Sequence, residues 1–288
     1  MKKLIVNADG FGFTAGCNRG IFETIENGIV TSVSVNMNFP AAEDTPRLQK
    51  EYPQISIGIH LNPVVGPPVT QLTKIKTLIN PETNEFWGGV EFTQRLTKKR
   101  INLRELALEL SNQLQKAIDL GIQISHIDSH QNRHLHPFYF KVFLALGEKF
   151  DIKKMRTHDY YLFSSNGSSE VFKHYLHNPW RFVVHNVHRL NMAKAKKRGF
   201  NMADRNLIFY LLEKGAKYIK DNWVFVLRNL PEGVSEVYIH PAYPDETLAK
   251  YATYSNERDA ERRLLQDPVL KKIIAEEKIE LISFAGLP

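Results

Sequence analysis

Short apolar runs that alternate with segments of helical period place this chain in the α/β class, with a parallel sheet wound from repeated βα units. The runs that read as strands number eight, which suits a (β/α) barrel of the TIM type. Polar residues also gather where those strands end, as they do at the carboxyl face of such a barrel. A length of 288 residues is compatible with one domain, 1–288, because α/β barrels of about 250 residues are commonly single units.

The expected strands are Leu4–Ala8, Val33–Met37, Ile55–His60, Ile124–Asp128, Lys154–Thr157, Val224–Leu227, Glu236–Ile239 and Glu280–Ser283. Cys17 to Asn27 reads as the first connecting helix, with Gly28 as a left-handed cap. In Asn102–Leu120, residues Leu103, Leu106, Leu110, Leu114, Ala117 and Ile118 recur at spacings of three and four, which predicts one apolar helical stripe stopped by Gly121. Residues 62–100 are rich in Pro, Thr and Gly and read as a functional loop insertion. A second irregular stretch is expected over about 159–205.

Composition narrows the function classes. A lone Cys17 excludes an internal disulfide and a thiolate cluster, so any metal site must use His, Asp or Glu, and a reducing, cytoplasmic location is expected. No apolar run approaches the roughly 20 residues that span a bilayer, and neither a transmembrane segment nor a signal peptide is expected. The net charge of +7 includes a basic run from Arg189 to Arg198. A solvated helix face accounts for such a run better than nucleic-acid binding, since no aromatic interleaving accompanies it.

The strand ends carry the chemistry. They read Asn7-Ala8-Asp9, Gly58-Ile59-His60, His126-Ile127-Asp128-Ser129-His130 and Tyr238-Ile239-His240-Pro241. A single strand-end histidine is more often structural, but four coincidences on different strands point to one cleft. Two imidazoles and a carboxylate that leave positions open to water can hold a catalytic Zn²⁺ or a similar divalent ion. Alternation along a strand puts His126, Asp128 and His130 on one face. Asp128 reads better as an orienter of a histidine than as a ligand. His134 and His136 are divided between substrate contact and loop or helix-cap roles.

These segments, together with Leu4-Ile5-Val6-Asn7-Ala8-Asp9-Gly10-Phe11-Gly12, Gly28-Ile29-Val30-Thr31-Ser32 and Leu230-Pro231-Glu232-Gly233, resemble the successive motifs of the YdjC-like carbohydrate deacetylases, in order from Leu4 to about Phe284. The family includes chito-oligosaccharide and hopanoid-biosynthesis-associated deacetylases. The resemblance implies a distorted (β/α) barrel of the polysaccharide-deacetylase type, one divalent ion (Mg or Zn), and removal of an N-acetyl group from an amino sugar or oligosaccharide. It assigns His60 and His130 to the metal, Asp9 to the first aspartate of an acidic pair, and His240 to the His-Pro motif. Gly10 stands where the family usually has the second aspartate, Ala242 where Gly commonly follows His-Pro, and Asn132 where His is common.

On this reading Asp9 is the general base and His240 the general acid, a pair that gives a bell-shaped pH dependence. Arg156 orients Asp9 or contacts the sugar; His134 and Tyr243 contact substrate, and Trp87 is a second stacking candidate. His60 and His130 should converge within a few ångströms near Asp9. Gly10 implies reduced metal affinity. A non-catalytic carbohydrate-binding relative and a metal-dependent phosphoesterase remain as alternatives. A homodimer is a further expectation.

Overall fold

A computed structural model describes residues 1–287 apart from 166, 213–215 and 253. Its elements are β1 (Lys2–Phe11), α1 (Ala15–Glu26), β2 (Ser32–Val35), α2 (Thr45–Glu51), β3 (Ser56–Leu61), β4 (Ile79–Asn80), β5 (Glu85–Phe86), α3 (Gly89–Thr97) and α4 (Leu103–Asp119). There follow β6 (Ile124–Ser129), α5 (Pro137–Lys149), β7 (Tyr160–Ser164), α6 (Ser168–His177), α7 (Pro179–Lys197), β8 (Arg205–Leu211) and α8 (Lys220–Arg228). The chain ends with β9 (Gly233–Ile239), α9 (Glu246–Tyr251), α10 (Asn256–Leu265), α11 (Pro268–Glu276) and β10 (Glu280–Leu281).

An eight-stranded sheet carries the order β6-β3-β2-β1-β9-β8-β7, with β10 added beside β1, and all of its ladders are parallel. β1 sits at its centre and is buried from Leu4 to Phe11, as a strand covered on both faces must be. Between β6 and β7 there is no continuous ladder; residues 154–155 make single parallel bridges to Ile127 and Asn201. The Lys154–Thr157 strand is therefore reduced to isolated bridges.

α4 forms as its pattern predicts. Asn102 caps it by accepting the Arg104 amide at 2.9 Å, Gly121 takes φ +75° just past its end, and Leu106, Leu110, Leu114 and Ala117 are buried. Burial of each such leucine contributes about 1.5–3 kcal/mol. The stripe's ends, Leu103 and Ile118, reach solvent.

Three expectations change. Val224–Leu227 lies inside α8, where Trp223, Val226 and Leu227 at helical spacing turn into the core and Trp223 packs on Phe209 at 5.5 Å; a four-residue apolar run has no period of its own that separates strand from buried helix. The 159–205 stretch holds β7, α6 and α7 and runs into β8, so it is not irregular. Gly28 has no left-handed φ, since Asn27 closes α1; a Cβ on Gly28 would lie 2.5 Å from the Thr24 carbonyl and 2.8 Å from that of Leu265, so close approach is what it provides.

Candidate active site

β1 alternates Asn7 and Asp9 onto one face, and its register with β2 slips between Asp9 and Phe11. Gly10 occupies that bulge at φ +105°, a conformation that side chains rarely adopt. In the parallel register His60 of β3 pairs with Asp128 of β6, while His130 follows β6 directly and His240 follows β9. Asp9, Gly10, His60, His130 and His240 line one cleft of about 310 Å³ at this end of the sheet. A larger hollow of about 640 Å³ opens between β7 and the α6–α7 pair, but among the described residues no carboxylate lines it.

Arg156 organises the floor beneath the cleft. Its guanidinium is 1% exposed and donates to both Asp9 oxygens, while Nη2 lies 2.7 Å from Asp128 Oδ2 and Nε donates to Glu236 Oε1 at 2.9 Å. Asn7 adds a bond to Asp9 Oδ1 at 2.8 Å and another to Ser34, whose hydroxyl donates to Asp128 Oδ2 at 2.9 Å. Three carboxylates thus converge on one cation. Burial raises the Asp9 and Asp128 carboxyls, but Arg156 and His60 together outweigh it and hold both below the usual carboxylate range. For Glu236 burial wins despite Arg156 and pushes the group up to about 7, so one of the three keeps its proton to near neutrality.

His130 and His240 stay neutral. Burial pushes His130 down to about 3 and His240 well below its ordinary value, with the nearby Arg258 cation contributing to each. His60 Nδ1 bonds the ionised Asp128 at 2.8 Å, which places a ring proton on Nδ1. The ring centroids of His60 and His130 are 5.4 Å apart, and His240 Nε2 is 3.9 Å from Asp9 Oδ2. Asp9, His60 and Asp128 each offer a ligand atom, all within 4.8 Å of one another, a spacing that could hold a metal ion. Two neutral imidazoles beside an ionised carboxylate are a donor set that suits a divalent cation.

Other expected residues lie elsewhere. His134 is fully buried, bonded through Nδ1 to Ser129 Oγ at 2.5 Å and stacked on Phe143 at 4.3 Å, so no sugar can reach it. Tyr243 donates to Glu23 at 2.7 Å, lies between the Arg19 and Arg262 guanidiniums, and is outside the cleft. Trp87 donates to the Thr77 carbonyl and is covered by Arg95. Arg156 is beneath the cleft wall, so of its two expected roles the structure supports the orientation of Asp9 and not sugar contact. His126 stacks on Phe284 at 3.6 Å above Gly58, where a Cβ would come within 2.3 Å of its ring. It therefore faces the core and not the cleft.

Several residues of the site were not anticipated. Glu236 and Tyr238 precede the expected His240 at intervals of two, a strand signal that places all three on one face and was available in the sequence. Ser34 and Asn7 carried the same kind of signal. Arg258 and Tyr254, which line the cleft from α10 and the segment before it, carried none, because only chain packing brings them there.

The fold and cleft define a parallel-sheet α/β protein with a carboxylate-and-imidazole site at its strand ends. Residues 3–276 match the YdjC-like protein family, and the chain belongs to that family. It is 29% identical, over the full length of both chains, to a carbohydrate deacetylase of Thermoanaerobacter pseudethanolicus. It is 30% identical to a carbohydrate deacetylase of Geobacillus stearothermophilus, covering 97% of this chain and 96% of the relative. A crystal structure of an Enterococcus faecalis protein described as a cellobiose-phosphate cleavage protein superposes with TM-score 0.75 at 25% identity, covering 99% and 98% of the two chains.

Proposed function

We propose that this protein is a metal-dependent hydrolase that removes the N-acetyl group from an amino sugar or oligosaccharide. The observation that carries the reading is the family match over nearly the whole chain, with relatives named carbohydrate deacetylases, joined to a cleft where Asp9 meets the imidazoles of His60, His130 and His240. His60 and His130 would hold a divalent ion, Mg or Zn, beside Asp9; bound there, it would polarise the acetamide carbonyl and acidify a water. Residues 1–288 are proposed to act as one catalytic domain, its sheet wound towards a barrel. Cytoplasmic location and a homodimeric state belong to the same proposal; among the described residues no helix is long and apolar enough to cross a membrane.

The chain's own groups handle the proton. Asp9, fixed by Arg156 and Asn7, accepts a proton from the attacking water and hands it to His240, whose Nε2 lies 3.9 Å from Asp9, and His240 delivers that proton to the amine as the C–N bond breaks. Water's oxygen ends in acetate and its proton on the amine. Both groups rest unprotonated at neutral pH, because Asp9 is lowered by Arg156 against its burial and His240 is lowered by its burial. The pair therefore starts as an acceptor, and the bell-shaped profile expected from opposite resting states gives way to a rise from acid pH to a plateau.

The test is acetate release from N-acetylglucosamine oligomers by purified protein, with and without chelation and metal readdition. Chelator-sensitive acetate release supports the reading. Phosphate release from sugar phosphates without acetate release would replace it with the phosphoesterase reading, and binding without either product would leave a carbohydrate-binding protein.

A further inference from the structure

The wall of the cleft holds a second buried arginine. Arg258 is 8% exposed and lines the same cavity as Asp9, His60, His130 and His240. Its Nε donates to the Tyr254 carbonyl at 2.7 Å, but among the described residues its two terminal nitrogens have neither a hydrogen-bond partner nor an ion pair within 4.0 Å. The nearby carboxylates are engaged elsewhere. Asp9 is bound by Arg156 and Asn7, and Glu261 accepts the His240 amide on one oxygen and the Tyr254 hydroxyl on the other.

Nη1 lies 3.3 Å from the point where a Cβ on Gly10 would sit. Because position 10 has no side chain, no group from it stands between the guanidinium and the cleft. A guanidinium that is 8% exposed and without a counter-ion is costly to bury. What such a guanidinium lacks is an anionic oxygen, for which its planar fork of donors is suited.

We propose that Arg258 is the acyl-oxygen receptor of this site: it donates N–H bonds to the acetamide oxygen as that oxygen gains charge, and then to the carboxylate of the released acetate. The assignment rests on the hydrolase reading above. Its position beside Gly10 and Asp9, where water must attack, favours the acyl oxygen over an acidic group carried elsewhere on the sugar. Gly10 is then the residue that lets the cation reach the reacting carbon.

The experiment measures sodium acetate and glucuronate binding by calorimetry to the metal-supplemented protein and to Arg258→Met and Arg258→Lys, alongside kcat/KM and melting. Acetate should bind the parent saturably. Arg258→Met should lose at least about tenfold in acetate affinity and roughly 10²- to 10³-fold in kcat, the loss typical of a removed oxyanion donor. Its melting temperature should stay at or above the parent's, and added guanidinium should restore part of the rate. Acetate affinity unchanged in a folded Arg258→Met overturns the proposal, as does a parent that binds no acetate. Arg258-dependent glucuronate binding at least tenfold tighter than acetate moves the anion to the sugar and also overturns it. If Arg258→Met unfolds, Arg258→Lys decides: it should fold yet bind acetate more weakly, and parental affinity and turnover in that variant count against the assignment. Arg258-dependent acetate binding without hydrolysis would remove the hydrolase reading and with it the acyl-oxygen role, leaving Arg258 as a carboxylate-binding group only.

Discussion

Two buried arginines flank the cleft, and they live in opposite surroundings. Arg156, below the cleft, is enclosed by Asp9, Asp128 and Glu236. Arg258, in the wall, has no such partner among the described residues. Both side chains are removed from water, so burial does not distinguish their roles. Pairing does: a guanidinium saturated by protein oxygens fixes the geometry of the groups around it, whereas an unsaturated one retains its donors for a ligand.

The largest expected effect comes from removing the saturated cation. Arg156→Met leaves Asp9, Asp128 and Glu236 buried without a counter-charge, and breaking a buried pair this way costs about 3–5 kcal/mol. Chemical denaturation should show that loss, or the variant should fail to accumulate as folded protein. A stability within about 1 kcal/mol of the parent would mean that the network does not hold the floor together.

Next comes the orienting bond. Asp128→Asn keeps the shape of the side chain but removes the charge that fixes His60 Nδ1–H, and loss of such a support typically weakens metal binding or activity 10- to 100-fold. Titration of zinc into the metal-free variant should reveal it. Gly10→Ala tests the bulge on which the Arg258 side of the cleft depends. A non-glycine residue held at φ +105° costs about 1–3 kcal/mol, so this variant should melt earlier than the parent. For the same reason Gly10→Asp, the substitution that restores an acidic pair, must be read against Gly10→Ala, with which it shares the strain.

The most gradual effect is a dependence on pH. Glu236 titrates near 7 in the fold, whereas an unfolded glutamate titrates near 4.3, so between these values the folded chain holds the extra proton. Stability contributed by this group therefore falls as pH rises through that window, by at most about 1.4 kcal/mol per pH unit. Asp9 and Asp128 act oppositely: their lowered values stabilise the fold above the unfolded aspartate range and cease to do so in acid. Glu236→Gln should flatten the decline between about pH 5 and 7 while leaving the acid limb intact, as urea midpoints across that range would show. An unchanged decline would place the proton on another group.

Much of the site was legible because strands alternate. Asn7 and Asp9, Asp128 and His130, and Tyr238 and His240 each sit two residues apart near strand ends, so local geometry alone aims each pair at one face. His134 stays open between two roles in the sequence because a histidine between a strand end and a helix start carries no local mark of which way it points. Packing against Phe143 and a bond to Ser129 decided that it turns inward.

The α/β class, the parallel βα alternation, the α4 stripe and the convergence of Asp9, His60, His130 and His240 were determined by the sequence itself. They depend on periods of two and 3.6 residues and on which residue types end a strand, and both are local properties. Tertiary structure alone decided that Val224–Leu227 is helical, that Tyr243 packs outside the cleft, and that one arginine is paired and the other is not. Those outcomes depend on which groups meet across long stretches of chain: Arg156 reaches Asp9 across 147 positions, and α10 brings Arg258 against the bulge at Gly10. Charge compensation in a buried site depends on such encounters, and no local pattern encodes them.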